Sequence, residues 1–424
     1  MSQAQVGQHT QAASRAAAGP PARDQASVRG SVDAALGFAW DAVDFTSAEV
    51  MSATGLTRST AIEALNQLIE IGLVAELPNA RASGSYTKGR PARRFTLRSE
   101  AGLVLGMDAG RAHLTVALAD LRGRVLHRCT LELGEDRDGA VDRRAAVRSA
   151  ITTVLADSGR AGDEVVAACV GVPAPVDRDG ASPEDVSGFW TRMNPGLVSL
   201  LREFAPIVRV ENDASLAALA EGSVGAATAS RDYVALMAGD RLGAGVVLDG
   251  RLLRGMHGGA GEMSVLDHVD GVGSADGFGL RLATWAHTDI VAGDLPADHP
   301  WAGLREADVA GMEAVDARAV VERARDGDRW AQGLTARAAQ VLARVTTLLC
   351  SVYDPEVVVV SGGAAEGLTE VVEQASALLP ATVVTPPPRL VASTLGAQVV
   401  TTGAVSGAVE AARAGVLRIP RPVG

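Results

Sequence analysis

One plan of strands is written twice in this chain, and that repetition limits the folds open to it more than any other feature. The apolar strand Leu103–Gly110 ends in Asp108-Ala109-Gly110. A second strand follows at His113–Ala119, a turn at Asp120–Gly123, and a third strand at Arg124–Leu131. The same order returns at Tyr233–Ala238, Gly243–Leu248, Asp249-Gly250 and Arg251–Arg254. A duplicated unit of this kind predicts two lobes with a cleft between them, where strand ends converge on a ligand. From Glu100 onward, Val-, Leu- and Ala-rich strands alternate with Ala-rich helices, which argues an α/β class. The chain has 424 residues, 47% of them apolar and 21% charged. Its length suggests two to three domains of about 150 residues each.

Ahead of the repeat the chain has another character. Residues 1–26 are rich in Ala, Gln, Ser, Gly and Pro without an apolar period, which reads as a disordered tail. Residues 27–98 read as three short helices and a hairpin. Val32, Ala35, Leu36 and Ala39 share one face of a helix from Val28 to about Trp40. Thr46 is placed to cap Ser47–Ala53, with Val50 and Met51 turned inward, and Gly55 to end it in left-handed space. Thr57 is a natural N-cap for the next helix, whose apolar stripe reads Ile62, Leu65, Leu68 and Ile69. Arg58, Ser59 and Thr60 fall in its first turn. This is the layout of a helix-turn-helix, whose second helix presents such residues to the major groove. Gly72–Glu76 and Arg94–Leu97 then frame a basic, Gly-containing tip, the pattern of a winged-helix wing. Lys88, Arg90, Arg93 and Arg94 are its candidate phosphate and minor-groove contacts. The plainer alternative is three helices that merely pack, with Arg90 solvated.

Charge sharpens the contrast. The first 98 residues carry ten Lys and Arg against eight Asp and Glu, whereas the remainder carries 29 against 42. A net charge of −11 excludes a polybasic nucleic-acid coat, but phosphates respond to a local patch. Cys129, Cys169 and Cys350 form no CxxC pair, so the expectations are a reducing cytoplasm, no disulfide framework and no cysteine-built metal site. There is no apolar run of about 18 residues and no basic-then-apolar leader, which leaves no membrane partner to expect.

More specific pieces lie around the repeats. Gly171-Val172-Pro173-Ala174-Pro175-Val176-Asp177 ends a buried strand. Glu211-Asn212-Asp213-Ala214 leads into an Ala/Leu-rich helix at 215–222. Gly255–Glu262 is a Gly loop closing on a carboxylate, and Asp354-Pro355-Glu356 precedes a strand ending in Ser361-Gly362-Gly363. Taken in this order, these motifs resemble the ROK family (repressors, open reading frames and kinases), over roughly residues 28–412. The helix-turn-helix in front resembles its transcriptional-regulator branch. The resemblance implies a two-lobed, actin-like ATPase (RNase H-like) domain over 101–424. Lobe one would span about 101–218 plus a C-terminal helix 393–412, and lobe two about 219–392.

It also implies sites, and this chain departs from several. The family's kinases follow Asp-x-Gly with Gly-Thr, where backbone N–H groups cradle phosphate. Here Asp108-Ala109-Gly110 is followed by Arg111-Ala112-His113. The second phosphate loop, usually Gly-Thr-Gly-x-Gly-x-Gly, reads Gly239-Asp240-Arg241-Leu242-Gly243-Ala244-Gly245, and Asp240 would repel ATP unless Arg241 offsets it. Asp108, Gly110, Gly243, Gly245, Gly362 and Gly363 thus stand as a vestigial nucleotide site. Asp213 matches the catalytic base. Three readings remain open for it: a hydrogen-bond acceptor for a sugar hydroxyl, a base, or the cap of the following helix. The family's Gly-Glu-Ile-Gly-His and Cys-rich zinc block appears as Gly261-Glu262-Met263-Ser264-Val265 with no Cys, so no metal or other cofactor is expected. Asn194, Asn212, Asp213 and Glu262 remain as candidate effector contacts, with Trp190, Trp285 and Trp301 able to stack on a sugar face.

The expected function is a sequence-specific DNA-binding regulator of carbohydrate-related genes. It would act as a repressor on a duplex operator, as a homodimer or dimer of dimers, with a possible sugar or sugar-derivative effector. The alternatives are an ATP-dependent sugar kinase carrying a DNA-binding domain, and an architectural binder without effector.

Overall fold

The computed structural model describes residues 22–78, 92–134, 140–304, 316–363, 365–379 and 386–419. The chain divides into two units, residues 1–98 and 99–424.

The first unit contains α1 (Ala22–Asp41), β1 (Phe45–Thr46), α2 (Ser47–Thr54), α3 (Arg58–Glu70), β2 (Val74–Glu76) and β3 (Arg94–Leu97). Helix α1 begins at Ala22, six residues before Val28 and inside the stretch read as tail. Ala22 to Gln25 are residues a helix accommodates well, and Pro20-Pro21 just before them cannot extend a helix backwards. Residues 1–21 lie outside the described residues. Thr46 caps α2 in a reciprocal box with Glu49, and Gly55 ends it at φ 72°. Thr57 caps α3 through the Thr60 amide. The buried stripe of α3 is Ala61, Ala64, Leu65 and Leu68. Ile62, expected in that stripe, is exposed instead. At 100° per residue it stands about 100° from Ala61 and about 60° from Leu65, and two alanines let the helix sit close without it. Phe45 on β1 meets Phe38 edge-on at 5.6 Å and Phe95 at 6.0 Å, joining helices and sheet into one core. The sheet order is β1-β3-β2, all antiparallel.

The second unit holds two sheets of the same design. In chain order its elements begin β4 (Leu103–Ala109), β5 (His113–Asp120), β6 (Val125–Glu132), α4 (Ala140–Ser158), β7 (Val165–Val172), α5 (Phe189–Met193) and α6 (Leu197–Leu201). They continue β8 (Ile207–Asn212), α7 (Asp213–Ser223), β9 (Tyr233–Ala238), β10 (Leu242–Leu248), β11 (Arg251–Leu252), α8 (Phe278–Ala292) and α9 (Ala317–Arg325). The last are α10 (Arg329–Tyr353), β12 (Val357–Ser361), α11 (Thr369–Leu378), β13 (Arg389–Ala392) and α12 (Val399–Gly415). The sheets run β6-β5-β4-β7-β8 and β11-β10-β9-β12-β13. In each, three antiparallel strands are followed by two added in parallel. The duplication written in the sequence is therefore a duplicated topology, and the all-Val stretch of β12 is buried along its length, as a central parallel strand requires. Helix α12 starts at Val399 and not at 393, because Ser393–Leu395 turn the chain and Gly396 takes φ 55°. Helix α7 likewise starts two residues before the predicted 215 and runs unbroken past 218.

Helices α7 and α12 lie at the joint of the two sheets. Helix α12 packs on β4 and β7 of the first sheet, and α7 on β9 and β10 of the second. They touch backbone to backbone: a Cβ on Gly403 would stand 1.9 Å from the Leu216 carbonyl oxygen. Gly245 meets α7 the same way, its Cβ position 2.0 Å from the Ala214 oxygen.

Candidate functional site

Two sets of residues carry chemistry, one in each unit. On the first unit, Arg58 and Ser59 are exposed at the start of α3 and Thr60 is half-buried. The Thr57 hydroxyl lies 3.1 Å from that of Ser59 and 2.8 Å from that of Thr60, so both are held to the cap. Arg58 has no ion pair or hydrogen bond among the described residues. Ile62, Glu63 and Asn66 extend the same exposed face. Ile62, apolar and exposed, stands one turn from Arg58 on this face. Arg93 donates from Nε to Glu76 at 2.7 Å and pairs with it through a second nitrogen, while Arg94 pairs with Asp44. Both guanidiniums, expected on phosphate, are thus answered by carboxylates of their own unit, although each side chain is about half exposed. Lys88 and Arg90 lie outside the described residues.

In the second unit, strand β4 carries Asp108, almost wholly buried, to its end. The chain turns at Gly110 and returns with His113, whose Nε2 lies 3.0 Å from Asp108 Oδ2. That bond raises the His113 pKa, and burial opposes the rise. A Cβ on Gly110 would stand 2.9 Å from the His113 ring, so the imidazole covers the glycine that a phosphate would need to approach. Arg143, 1% exposed, fastens the loop from behind. It donates to the carbonyls of Ala109, Gly110 (2.9 Å) and Met193 (3.0 Å). The second loop carries its own charges. Arg111 reaches Asp240 at 4.0 Å, and Arg241 does not offset Asp240 but turns to Asp267 at 3.5 Å and Asp276 at 3.6 Å. Gly243 pairs with Glu262 in an antiparallel bridge, while Gly362 (φ 104°) and Gly363 follow β12. Gly245 serves contact with α7, and Gly243 has the Ala214 methyl 3.5 Å from its Cβ position.

The candidate effector residues divide. Asn212 is the cap of α7: its Oδ1 accepts from the Ser215 amide at 3.0 Å and its Nδ2 donates to the Ala174 carbonyl at 3.2 Å. The cap reading therefore passes from Asp213 to its neighbour. Asp213, the first residue of α7, accepts from the Ala214 amide at 2.7 Å. Its pKa is pushed up to about 7, chiefly by burial, then by the negative charge of Asp108 and to a lesser degree of Glu262. Glu262 is itself raised by the protein mass around its carboxyl, with Arg241 opposing. Asn194 spends its Nδ2 on the Gly180 carbonyl and the Ser182 hydroxyl, both at 3.0 Å, and its buried Oδ1 has no partner among the described residues. Trp285 and Trp301 carry Arg337 and Arg323 over their rings at 4.0 and 4.3 Å.

The sequence places His113 in the first phosphate loop but does not show its bond to Asp108, five residues earlier, and two further polar anchors carry no motif. Arg143 falls on the apolar stripe of α4 with Val147, Ala150, Ile151 and Val154, and a cation in such a stripe is the readable signal. Arg254 donates to both oxygens of buried Glu211, at 3.0 and 2.7 Å, tying the end of β11 to β8. Where the resemblance implies zinc, the donors do not fit: Val265 is exposed, no Cys is present, and no cluster of His, Cys, Asp and Glu suited to a metal occurs among the described residues. That loop is held by Arg281, buried, which donates to the carbonyls of Val272 (2.9 Å), Asp276 (2.8 Å) and Ser274. No helix among the described residues is long and apolar enough to cross a membrane.

Comparison with known proteins accords with the fold. The ROK family signature matches residues 104–268 and 302–414. The DNA-binding transcriptional dual regulator NagC of Escherichia coli is 23% identical over 337 residues, 78% of each chain. The glucokinase of Thermotoga maritima is 29% identical over 274 residues, 61% of this chain and 81% of its own. The bifunctional enzyme NanE/NanK of Brucella suis is 33% identical over 201 residues, but the match spans only about a third (34%) of that protein's length. Among solved structures, a ROK-family transcriptional regulator homologous to the Escherichia coli MLC protein superposes with TM-score 0.68 at 20% identity. That match covers 91% of this chain and 98% of the other, a likeness that carries the fold.

Proposed function

The chain belongs to the ROK family, and from that premise we propose that it is a sequence-specific DNA-binding transcriptional regulator, a repressor, whose ROK domain senses an effector and no longer transfers phosphate. The observation that carries the reading is the state of the two phosphate loops. His113 covers Gly110, and Arg111 faces Asp240 across the cleft. A triphosphate would have to displace a hydrogen-bonded imidazole at the first loop and then meet the Asp240 carboxylate at the second. The α3 face with Arg58, Ser59 and Thr60 supports the DNA half of the reading, as does the DNA-binding dual regulator NagC among the relatives. The effector class suggested by such relatives is a sugar or sugar derivative. Asp213 and Glu262 are the acceptors offered to its hydroxyls, whereas Asn212 is committed to α7. An effector relieves repression only to the extent that it favours one lobe arrangement over another.

A second reading has one observation in its favour. Asp213 titrates near neutrality, as a general base for a sugar hydroxyl should, and the glucokinase relative shares its domain. One preparation tests both. Fluorescence anisotropy on fragments from the chain's own promoter region should show salt-sensitive, saturable binding, and an ADP-release assay over a sugar panel should stay at background. Steady ADP release that Asp213→Asn abolishes, with no fragment bound, would replace the regulator by the kinase.

A further inference from the structure

Away from the cleft, a cavity of about 310 Å³ opens between the β5–β6 hairpin, the end of α7 and one face of α12. Its size falls at the low end of ligand pockets, which run from about 300 to 1,000 Å³. Val405 and Val409 form an apolar floor and the hydroxyls of Thr402 and Ser406 stand on the same helix. Val125 and Val224, 40% and 62% exposed, are apolar groups left at the rim. The charged lining is unequal. Arg122 and Arg128 come from the hairpin, against the single carboxylate of Glu410, which Arg209 engages at 3.6 Å. A cationic rim over an apolar floor is notable in a molecule of net charge −11.

The position matters as much as the lining. Ser223 and Val224 close the end of α7, the helix that begins with Asp213 in the cleft. Val405 abuts Gly106 of β4, whose Cβ would stand 2.5 Å from the Val405 amide nitrogen, and Asp108 lies two residues further along that strand. An occupant would therefore press on the two elements that carry the cleft carboxylates, through contacts with no slack.

We propose that this groove is a second ligand site, that it takes a small organic anion with an apolar body, its phosphate or carboxylate on Arg122 and Arg128, and that occupancy is transmitted along α7 to the cleft. The site is independent of whether the chain represses genes or phosphorylates sugar.

The test uses the full chain with three aromatic probes: phenyl phosphate, benzoate and benzyl alcohol. Calorimetry should give saturable binding of at least one anion and none of the alcohol. Preference for phenyl phosphate over benzoate identifies a phosphate ligand, and the reverse a carboxylate. Arg128→Ala, at an exposed position, should weaken binding about tenfold, or 1.4 kcal/mol, and Val224→Trp should block the groove. Hydrogen exchange at the Ala214 and Ser215 amides should slow on saturation. No saturable uptake of either anion, equal uptake of the alcohol, or unchanged affinity in Arg128→Ala would overturn the site. Binding that leaves exchange at Ala214 and Ser215 unaltered would overturn the transmission.

Discussion

At the scale of single residues, the cleft is governed by carboxyl groups that would rather hold protons. Asp213 has an ordinary pKa of 3.8 and a folded value of about 7. Between those values the unfolded chain has released its proton while the folded chain keeps it. The stabilisation is therefore complete below about pH 4 and is lost as pH climbs through about 7. A rise of this size corresponds to about 2–4 kcal/mol once the partial exposure of Asp213 is allowed for. Asp213→Asn keeps an acceptor for the Ala214 amide and removes the titration. Its melting temperature should exceed that of the parent by more at about pH 8 than at about pH 5, read in parallel thermal scans. A constant difference would mean that Asp213 is not the strained group. His113, raised by Asp108, works in the same direction, since its contribution is also present at low pH and fades as pH rises through its folded pKa. Arg58 poses a simpler question. As a guanidinium without a partner among the described residues, at the head of α3, its change to Ala should weaken operator binding by about 1–3 kcal/mol if it reads a base. If it touches phosphate instead, the salt slope should fall by about 1. Binding unaltered in both respects would remove Arg58 from the interface.

At the scale of elements, the legible parts were those fixed by local chemistry. Thr46, Gly55 and Thr57 announced the borders of α2 and α3 because a cap depends on one side chain and the amides beside it. The twofold strand plan was legible because apolar runs between turn residues survive without knowledge of the tertiary contacts. What stayed hidden depended on partners far away in sequence. Arg93 and Arg94 looked like free cations until Glu76 and Asp44 came beside them, and Ile62 looked like core until two alanines took its place. The identity of the cap at the head of α7 could not be decided between two adjacent polar residues from sequence. Arg281 is the most instructive case, because the loss of zinc ligands was readable but the replacement was not. Three backbone carbonyls converge on one buried guanidinium whose pKa burial lowers. Arg281→Met fills similar volume and leaves those carbonyls unanswered, at a cost of about 2–4 kcal/mol. Limited proteolysis should then cut within residues 269–277 earlier than in the parent, and chelator should change the pattern in neither protein. An unchanged digestion profile would show that the Arg241 pairs with Asp267 and Asp276 hold the loop by themselves.

At the scale of the whole molecule, charge sets the terms on which DNA can be bound. Residues 99–424 carry 29 basic against 42 acidic side chains, so most of the surface repels a duplex and attraction must come from the short N-terminal unit. With Arg93 and Arg94 facing carboxylates of their own unit, a single copy has two fewer cations to spend on phosphate. One α3 in a major groove reads only a few base pairs, and neither the charge nor the contact area of one unit suffices against the competing sites of a genome. Two units joined in one assembly would turn the second contact into an intramolecular event and raise affinity by about 10²–10⁴ without any new contact. The full chain should therefore sediment as a dimer or larger at the concentrations where it binds. It should prefer a palindrome with half-sites a whole number of turns apart, about 10–10.5 base pairs, over one half-site by at least about 100-fold. Inserting about five base pairs between the half-sites puts them on opposite faces of the duplex and should reduce affinity to that of the single half-site. Equal affinity for palindrome, spaced palindrome and half-site would mean that one copy binds alone, and the acidic bulk of the molecule would then need a cation source other than the one these residues supply.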